Sequence, residues 1–410
     1  MSTAPAARIM RRLDELAALT QDAPKLTRVF LSPEHRAAND LVAGWMREAG
    51  MAVRIDALGN VCGRREGERP GLPALLLGSH LDTVRDAGRY DGMLGVVTAI
   101  ECVQALAAVA LPFAVEIIGF GDEEGVRFGS TLLGSRAVAG TFDPAILTAC
   151  DAQGISLAQA LTSFGLDPAA WPRAARRHEE LIAYLELHIE QGPVLERAGL
   201  PVGCVTSING ATRLAVQIQG MAGHAGTVPM AVRRDALAAA AEMVLAVERR
   251  CAAEPDLVGT VGRIEALPGA VNVIPGECRF TLDLRAPRDE QRRQAVADVL
   301  SSLDDIIARR GVQLTVNTLH DSPAAPCAAW LMRQIDAAIT AQGITPLRLP
   351  SGAGHDAMAL AALVDVGMIF VRCAGGISHN PAESITVEDA GAGFGALYRL
   401  LRNFDPAART

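Results

Sequence analysis

The amino-acid sequence predicts an α/β protein in which a central mixed sheet is flanked by helices and a smaller α+β domain is inserted into the chain. Short, wholly apolar runs alternate with helical patterns over residues 1–208, as expected for strands buried on both faces. A β-α-β-β-α-β order of patterns follows over residues 209–325, which is the split βαβ, or ferredoxin-like, arrangement. The βα pattern then returns over residues 326–410. We therefore expect one discontinuous domain with a second domain inserted into it.

The first segment carries the elements of the larger sheet. Helices are expected where apolar residues recur at helical spacing, and strands where apolar runs end in polar or glycine residues. A Gly59-Asn60 pair after the first strand is typical of a hairpin turn. The predicted helices are residues 9–18, 33–49 and 92–110, and the predicted strands are residues 52–56, 74–80, 113–120 and 183–187.

The inserted segment and the final segment complete the pattern. Alternation of apolar and polar residues after about residue 208 predicts strands with one exposed face. The predicted strands are residues 213–220, 258–264, 277–284 and 313–318, and the predicted helices are residues 235–248 and 288–309. In the final segment we expect a helix over 329–342 and a strand over 366–371.

Composition excludes several classes of function. The 410 residues carry 46 acidic and 38 basic side chains, a net charge of −8, and only 4% of residues are aromatic. This balance argues against a nucleic-acid partner. No run of 18 apolar residues and no signal-peptide pattern is present, so we expect neither a membrane span nor export. The 8 cysteines are scattered and form no CxxC pair, which favours reduced thiols and a cytoplasmic protein.

Side chains that suit metal ions follow several predicted strands. Imidazole and carboxylate ligands together favour divalent ions such as zinc, manganese, nickel or cobalt. Two neighbouring ions need a bridging carboxylate, for which Asp91 is the natural candidate, and Asp82 could orient the imidazole of His80. Of the adjacent pair Glu123 and Glu124, one would bind metal and the other would act as a general base. The candidate set is His80, Asp82, Asp91, Glu123, Glu124, His188 and His379.

Several strings of residues resemble a known family. The strings GSHLDTV (78–84), DGMLGV (91–96) and DEEGVRF (122–128) are similar to the M20 metallopeptidase-like amidohydrolases. Three further strings resemble more narrowly the hydantoinase/carbamoylase branch: LGSR at 133–136, LHIEQGP at 187–193 and GHAGTVPM at 223–230. That branch includes N-carbamoyl-L-amino-acid hydrolases, β-ureidopropionases, allantoate amidohydrolases and ureidoglycolate amidohydrolases. The resemblance covers almost the full length.

The resemblance implies roles for individual residues. Two divalent ions per subunit, Zn²⁺ or Mn²⁺ with Ni²⁺ or Co²⁺ as alternatives, would be held by His80, Asp91, Glu124, His188 and His379, with Asp91 bridging. Glu123 would be the general base. Residues 1–208 and 326–410 would form the catalytic domain, and residues 209–325 a lid and dimerisation domain. The implied substrate contacts are Gln191, Arg213, His224, Asn272, Arg285 and the loop around Gly354, with His224 also stabilising developing negative charge.

The implied activity is hydrolysis of a C–N bond in a small ureido substrate that carries a carboxylate, such as allantoate or an N-carbamoyl-L-amino acid, with release of ammonia and CO₂. A homodimer formed through the inserted domain is also implied. An M20 aminopeptidase or dipeptidase is one alternative, and a catalytically silent metal-binding relative is another. His355 either braces the site or plays no part in it. His35, His178 and His320 lack a motif context and are expected at the surface.

Overall fold

The computed structural model describes residues 4–409, and the chain divides into two compact units. The first unit contains the chain up to Thr206, together with Cys327–Leu349 and the chain from Ala353 onward. The second unit contains Ser207–Pro326 and Pro350–Gly352.

The helices and strands are numbered in chain order. The α-helices are α1 (Ala4–Ala17), α2 (Pro33–Glu48), α3 (Met93–Ala105), α4 (Leu133–Val138), α5 (Leu157–Ser163), α6 (Val194–Ala198), α7 (Ala236–Ala252), α8 (Asp289–Arg310), α9 (Ala329–Thr340), α10 (Asp356–Leu360) and α11 (Val387–Arg402). The strands are β1 (Ala52–Ile55), β2 (Val61–Arg65), β3 (Ala74–His80), β4 (Ala114–Phe120), β5 (Leu181–Ile189), β6 (Val202–Ile208), β7 (Gly210–Gln219), β8 (Gly223–His224), β9 (Val258–Leu267), β10 (Val273–Ile274), β11 (Glu277–Ala286), β12 (Gln313–Ser322), β13 (Ala325–Pro326), β14 (Arg348–Ser351) and β15 (Val366–Val371).

The sheet of the first unit is mixed and has the order β1-β2-β4-β3-β5-β15-β6. Its centre is parallel: β3 pairs in parallel with β4 and β5, and β5 pairs in parallel with β15. Every residue of β3 and β4 is buried, which explains why these strands are apolar along most of their length. The predicted α/β class, with a large mixed sheet flanked by helices, is confirmed.

One helix of the first unit is shorter than the sequence predicts. The pattern predicts a helix over residues 92–110, but α3 ends at Ala105. The guanidinium of Arg65 donates hydrogen bonds to the carbonyls of Ala107 and Val109, at 3.3 and 2.7 Å, so these carbonyls are satisfied outside a helix. Pro112 follows soon afterwards and cannot donate a backbone hydrogen bond.

The second unit has an antiparallel sheet of order β12-β7-β11-β9 with helices α7 and α8 packed on it. Alternate residues of β7, namely Leu214, Val216 and Ile218, are buried with Phe280 and Leu282 of β11 in a separate hydrophobic core. The order of elements and of strands is that of the ferredoxin-like sandwich. Among residues 4–409, no helix combines the length and the apolar composition needed to cross a membrane.

Candidate metal centre

The candidate ligands of the first unit meet where neighbouring parallel strands end. His80 is the last residue of β3, His188 is near the end of β5, and Glu123 and Glu124 follow the end of β4. Because β4, β3 and β5 are adjacent and parallel, their carboxyl ends share one edge of the sheet. The sheet therefore brings together side chains that are far apart in the sequence.

Asp91 reaches this edge through a tight turn at Gly92. The N–H of Met93 donates to the carbonyl of Asp91 at 2.9 Å, and Gly92 has φ 73° and ψ −54°, which is the conformation of a γ-turn. A Cβ atom at position 92 would lie 2.5 Å from ring atoms of His80. Position 92 therefore requires glycine for two reasons: the backbone conformation and the close approach to the imidazole of His80.

The two carboxylate oxygens of Asp91 face different partners. Oδ1 lies 3.1 Å from Nε2 of His188 and 3.6 Å from Nε2 of His80. Oδ2 lies 3.1 Å from Nε2 of His379, and that nitrogen is 3.4 Å from Oε1 of Glu124. Asp91 thus stands between two groups of donor atoms, which is the position that a bridging carboxylate requires.

Backbone carbonyls orient the two buried imidazoles. The Nδ1 of His80 lies 2.9 Å from the carbonyl of Asp82, and the Nδ1 of His188 lies 2.9 Å from the carbonyl of Ile189. When Nδ1–H donates to a carbonyl, the Nε2 lone pair is left to bind a metal ion. In both residues Nε2 is the nitrogen that faces Asp91.

The donor atoms form compact groups that fit metal ions. Within each group, all ligand atoms lie within 4.8 Å of one another. The imidazole nitrogens and carboxylate oxygens in these groups are the ligands that Zn²⁺, Mn²⁺, Ni²⁺ and Co²⁺ accept. The groups are His80, Asp91 and His188; Asp91, Glu124 and His379; and His80, Glu123 and Glu124.

Asp82 acts on the glutamate pair through its carboxylate. Its Oδ1 accepts from the backbone N–H of Glu123 at 3.1 Å, and its Oδ2 accepts from that of Glu124 at 3.2 Å. The carboxylate is 3.9 Å from Nδ1 of His80, beyond hydrogen-bond distance, so it is the Asp82 carbonyl that contacts the imidazole. Asp82 therefore holds the turn that presents both glutamates, a contact that the His80–Asp82 spacing alone does not predict.

The electrostatics distinguish Glu123 from Asp91. Burial raises the pKa of Glu123 well above its usual range; the nearby His80 opposes this shift, and the charge of Glu124 adds to it. Burial would also raise the pKa of Asp91, but the close contacts with the imidazoles of His188 and His379 outweigh it and hold that pKa well below the usual value. Glu123 is thus a buried carboxylate beside the donor groups that holds a proton more strongly than Asp91 does.

Other predicted residues of the first unit lie beside these groups. The side-chain amide of Gln191 donates to Oδ2 of Asp91 at 3.1 Å. A Cβ atom on Gly354 would be 3.7 Å from Oε1 of Glu123, so this loop borders the candidate base. His355, whose role the sequence leaves open, is buried with its ring edge-on to His188, the ring centroids 4.5 Å apart.

The remaining predicted substrate contacts lie in the second unit. His224 and Asn272 are neighbours there: β8 pairs with β10, and Ala225 N–H donates to the carbonyl of Asn272 at 2.9 Å. Arg285 forms a two-point ion pair with Asp283, at 2.8 and 3.0 Å, and Arg213 contacts the same carboxylate at 2.9 Å.

One histidine prediction is wrong. His35 was expected at the surface, but it is fully buried on α2, with Phe30 and Phe164 packed around its ring. Ser32 caps α2 by accepting a hydrogen bond from the backbone N–H of His35. This cap fixes where α2 begins, and the helix then directs the His35 side chain into the protein interior. His178 and His320 are exposed, as predicted.

The comparisons with known proteins agree with the geometry. Residues 76–403 match the family described as Peptidase family M20/M25/M40. The chain belongs to this family. An N-carbamoyl-L-amino acid amidohydrolase of Geobacillus stearothermophilus is 44% identical over 96% of this chain and 97% of its own length. An allantoate deiminase of Arabidopsis thaliana is 41% identical over 96% of this chain and 81% of its own length.

Solved structures place the chain within the same M20-type group. An amidase of the hydantoinase/carbamoylase family from Burkholderia multivorans has a TM-score of 0.92 and 32% identity, and covers 98% of both chains. The predicted family resemblance is confirmed, and so is the predicted class of enzyme: this M20 family member is a hydrolase that acts on C–N bonds. The aminopeptidase PepT of Bacillus cereus, with a TM-score of 0.64 and 17% identity, shares the fold alone.

Proposed function

We propose that this M20 family member is a dinuclear metal-dependent amidohydrolase that cleaves the C–N bond of a ureido group, R-NH-CO-NH₂. The observation that carries the proposal is the placement of Asp91, whose two oxygens face separate sets of donors. One ion would be held by His80, Asp91 and His188, and the other by Asp91, Glu124 and His379. Bound ions supply positive charge that polarises a carbonyl and acidifies water.

Glu123 is the general base in this proposal. Its carboxylate lies beside the donor groups, where it would take a proton from the attacking water and return it to the leaving nitrogen. Asp82 positions it by accepting hydrogen bonds from the backbone of Glu123 and Glu124. The loop at Gly354 borders the carboxylate.

The substrate class is a small ureido compound with a carboxylate. Support comes from the two relatives described above, whose names specify N-carbamoyl-L-amino acids and allantoate. The planar guanidinium of Arg285 can donate two parallel hydrogen bonds to a substrate carboxylate. Arg213 is beside it, since both arginines contact Asp283. His224 would donate to the oxygen that gains negative charge, while Asn272 and Gln191 would orient the substrate.

Three finer features belong to the same proposal. The ions are Zn²⁺ or Mn²⁺, with Ni²⁺ and Co²⁺ as alternatives, because imidazole and carboxylate ligands accept all four. The chain forms a homodimer through residues 209–325, the lid and dimerisation domain. The protein is cytoplasmic, in keeping with 8 cysteines that all remain free among the described residues.

The test is ammonia release from a panel of ureides in the presence of each metal. Metal-free protein would be loaded with Mn²⁺, Zn²⁺, Ni²⁺ or Co²⁺ and offered allantoate, N-carbamoyl-L-amino acids, β-ureidopropionate, ureidoglycolate and dipeptides. We expect metal-dependent ammonia release from at least one ureide. Hydrolysis of a dipeptide yields free amino acids and no ammonia, so the dipeptides are followed by chromatography of the amino acids, and we expect none to form. Cleavage of dipeptides alone would instead support an aminopeptidase or dipeptidase, and two bound ions without turnover of any compound would support a silent relative.

A further inference from the structure

The loop that carries His379 is joined to the loop that carries Asp91 by a buried carboxylate, Glu383, which is only 3% exposed. Its Oε1 accepts hydrogen bonds from the backbone N–H of Tyr90 at 2.9 Å and of Asp91 at 3.1 Å. Its Oε2 accepts from the hydroxyl of Ser378 at 2.9 Å. Each oxygen of Glu383 therefore holds one of the two loops.

Ser378 carries this link to the ligand side chains. It directly precedes His379, and its Oγ lies 3.3 Å from Oδ2 of Asp91 and 3.1 Å from Nε2 of Gln191. Oδ2 is the Asp91 oxygen that faces His379. The single hydroxyl proton of Ser378 goes to Glu383, and the side-chain amide of Gln191 donates both to Oγ of Ser378 and to Oδ2 of Asp91. The link from Glu383 therefore reaches the side of Asp91 that faces His379.

The space for this carboxylate depends on Gly88. A Cβ atom at position 88 would overlap the side chain of Glu383. Position 88 is not itself a candidate metal ligand, and the nearest candidate ligand in the sequence is Asp91. The Gly88→Ala substitution would therefore displace Glu383 without changing any ligand.

We propose that Glu383 is a positioning residue that, together with Ser378, holds Asp91 and His379 at the spacing needed to bind one ion between them and Glu124. This inference rests on the proposed dinuclear function. The other group shares Asp91, but its two imidazoles, His80 and His188, are fixed by the strands and by the backbone carbonyls of Asp82 and Ile189. Loss of Glu383 should consequently weaken the ion that also needs His379 more than the ion held by His80 and His188.

The experiment is titration of metal-free protein with Mn²⁺, with free Mn²⁺ measured by electron paramagnetic resonance. The wild type should bind two ions. Glu383→Ala should bind one ion 10-fold to 100-fold less tightly, about the effect of removing a residue that supports a ligand, and the other ion with a clearly smaller loss of affinity. Glu383→Gln keeps an acceptor for the two backbone N–H groups and should restore most of the lost affinity.

Gly88→Ala and Ser378→Ala test the same link by separate routes and should weaken the same ion. Glu388→Ala removes an exposed glutamate from the first turn of α11, and Gly44→Ala adds a Cβ where no atom lies within 4 Å; both should titrate as the wild type does. Unchanged affinities in Glu383→Ala, Gly88→Ala and Ser378→Ala, or equal weakening of both ions, would overturn the role of Glu383. A wild type that binds fewer than two ions would overturn the proposed function itself.

Discussion

Gly92→Ala tests how closely the Asp91 turn and the His80 imidazole must fit. The added Cβ would lie 2.5 Å from the ring, whereas carbon atoms in contact need about 3.5 Å, so the ring and the turn must separate by about 1 Å. Metal–ligand distances tolerate only about 0.2 Å. The γ-turn backbone at φ 73° and ψ −54° is strained for alanine as well, at a cost of about 1–3 kcal/mol. We expect loss of tight binding by the ion between His80, Asp91 and His188.

The assay for Gly92→Ala is metal content after dialysis together with ammonia release. Gly391→Ala is the control, because a Cβ there would make only an ordinary contact of 3.5 Å with Ala6. The control should keep both ions and full activity. If Gly92→Ala also retained two tightly bound ions and wild-type turnover, the close fit between this turn and His80 would not matter for metal binding, and the reasoning would be refuted.

Three further predictions concern the base, the substrate carboxylate and acid stability. Glu123→Gln should keep both ions and lose about 10²-fold to 10⁴-fold in kcat, measured with metal content on the same sample; a fully active, metal-loaded variant would exclude Glu123 as the base. Arg285→Ala should raise KM for ureides that carry a carboxylate about 10-fold or more but not for their amide analogues, and equal effects on both would exclude the pairing. Burial lowers the pKa of His35 to about 3, and the positive charges of Arg28 and Arg36 add to this shift. When the pH falls below about 6.5, His35 therefore takes up a proton in the unfolded state but not in the folded state. Between pH 7 and pH 5, the unfolding free energy of the metal-free wild type should therefore fall by about 2 kcal/mol more than that of His35→Leu, as measured by urea titration. His178→Leu, which changes an exposed histidine, is the control and should behave like the wild type. Equal losses in the wild type and His35→Leu would contradict a neutral buried His35.

The sequence was sufficient for the parts of the site that depend on strand ends. His80, Glu124 and His188 could be expected near one another because polar residues that end adjacent parallel strands share one edge of a sheet. Asp91 could be expected there because it immediately precedes the glycine that starts α3. Which member of the pair Glu123 and Glu124 is the ligand and which is the base, by contrast, came from the family resemblance.

The supporting contacts could not be predicted because they depend on tertiary structure. Glu383 is 292 residues from Asp91 and has no periodic pattern around it, so nothing local indicates that its carboxylate binds that backbone. The carboxylate of Asp82 contacts the backbone of Glu123 and Glu124, which is set by how the ends of β3 and β4 meet. His35 was misplaced because its burial depends on Phe164, a residue far along the chain.

The central claim is that Asp91 joins two metal ions beside a free Glu123, and crystallographic anomalous scattering from Mn²⁺-loaded protein tests it most directly. We expect two peaks per chain, one on each side of the Asp91 carboxylate, with His80 and His188 on one ion, Glu124 and His379 on the other, and the Glu123 side chain bound to neither. A single peak, or two peaks that do not share Asp91, would contradict the account.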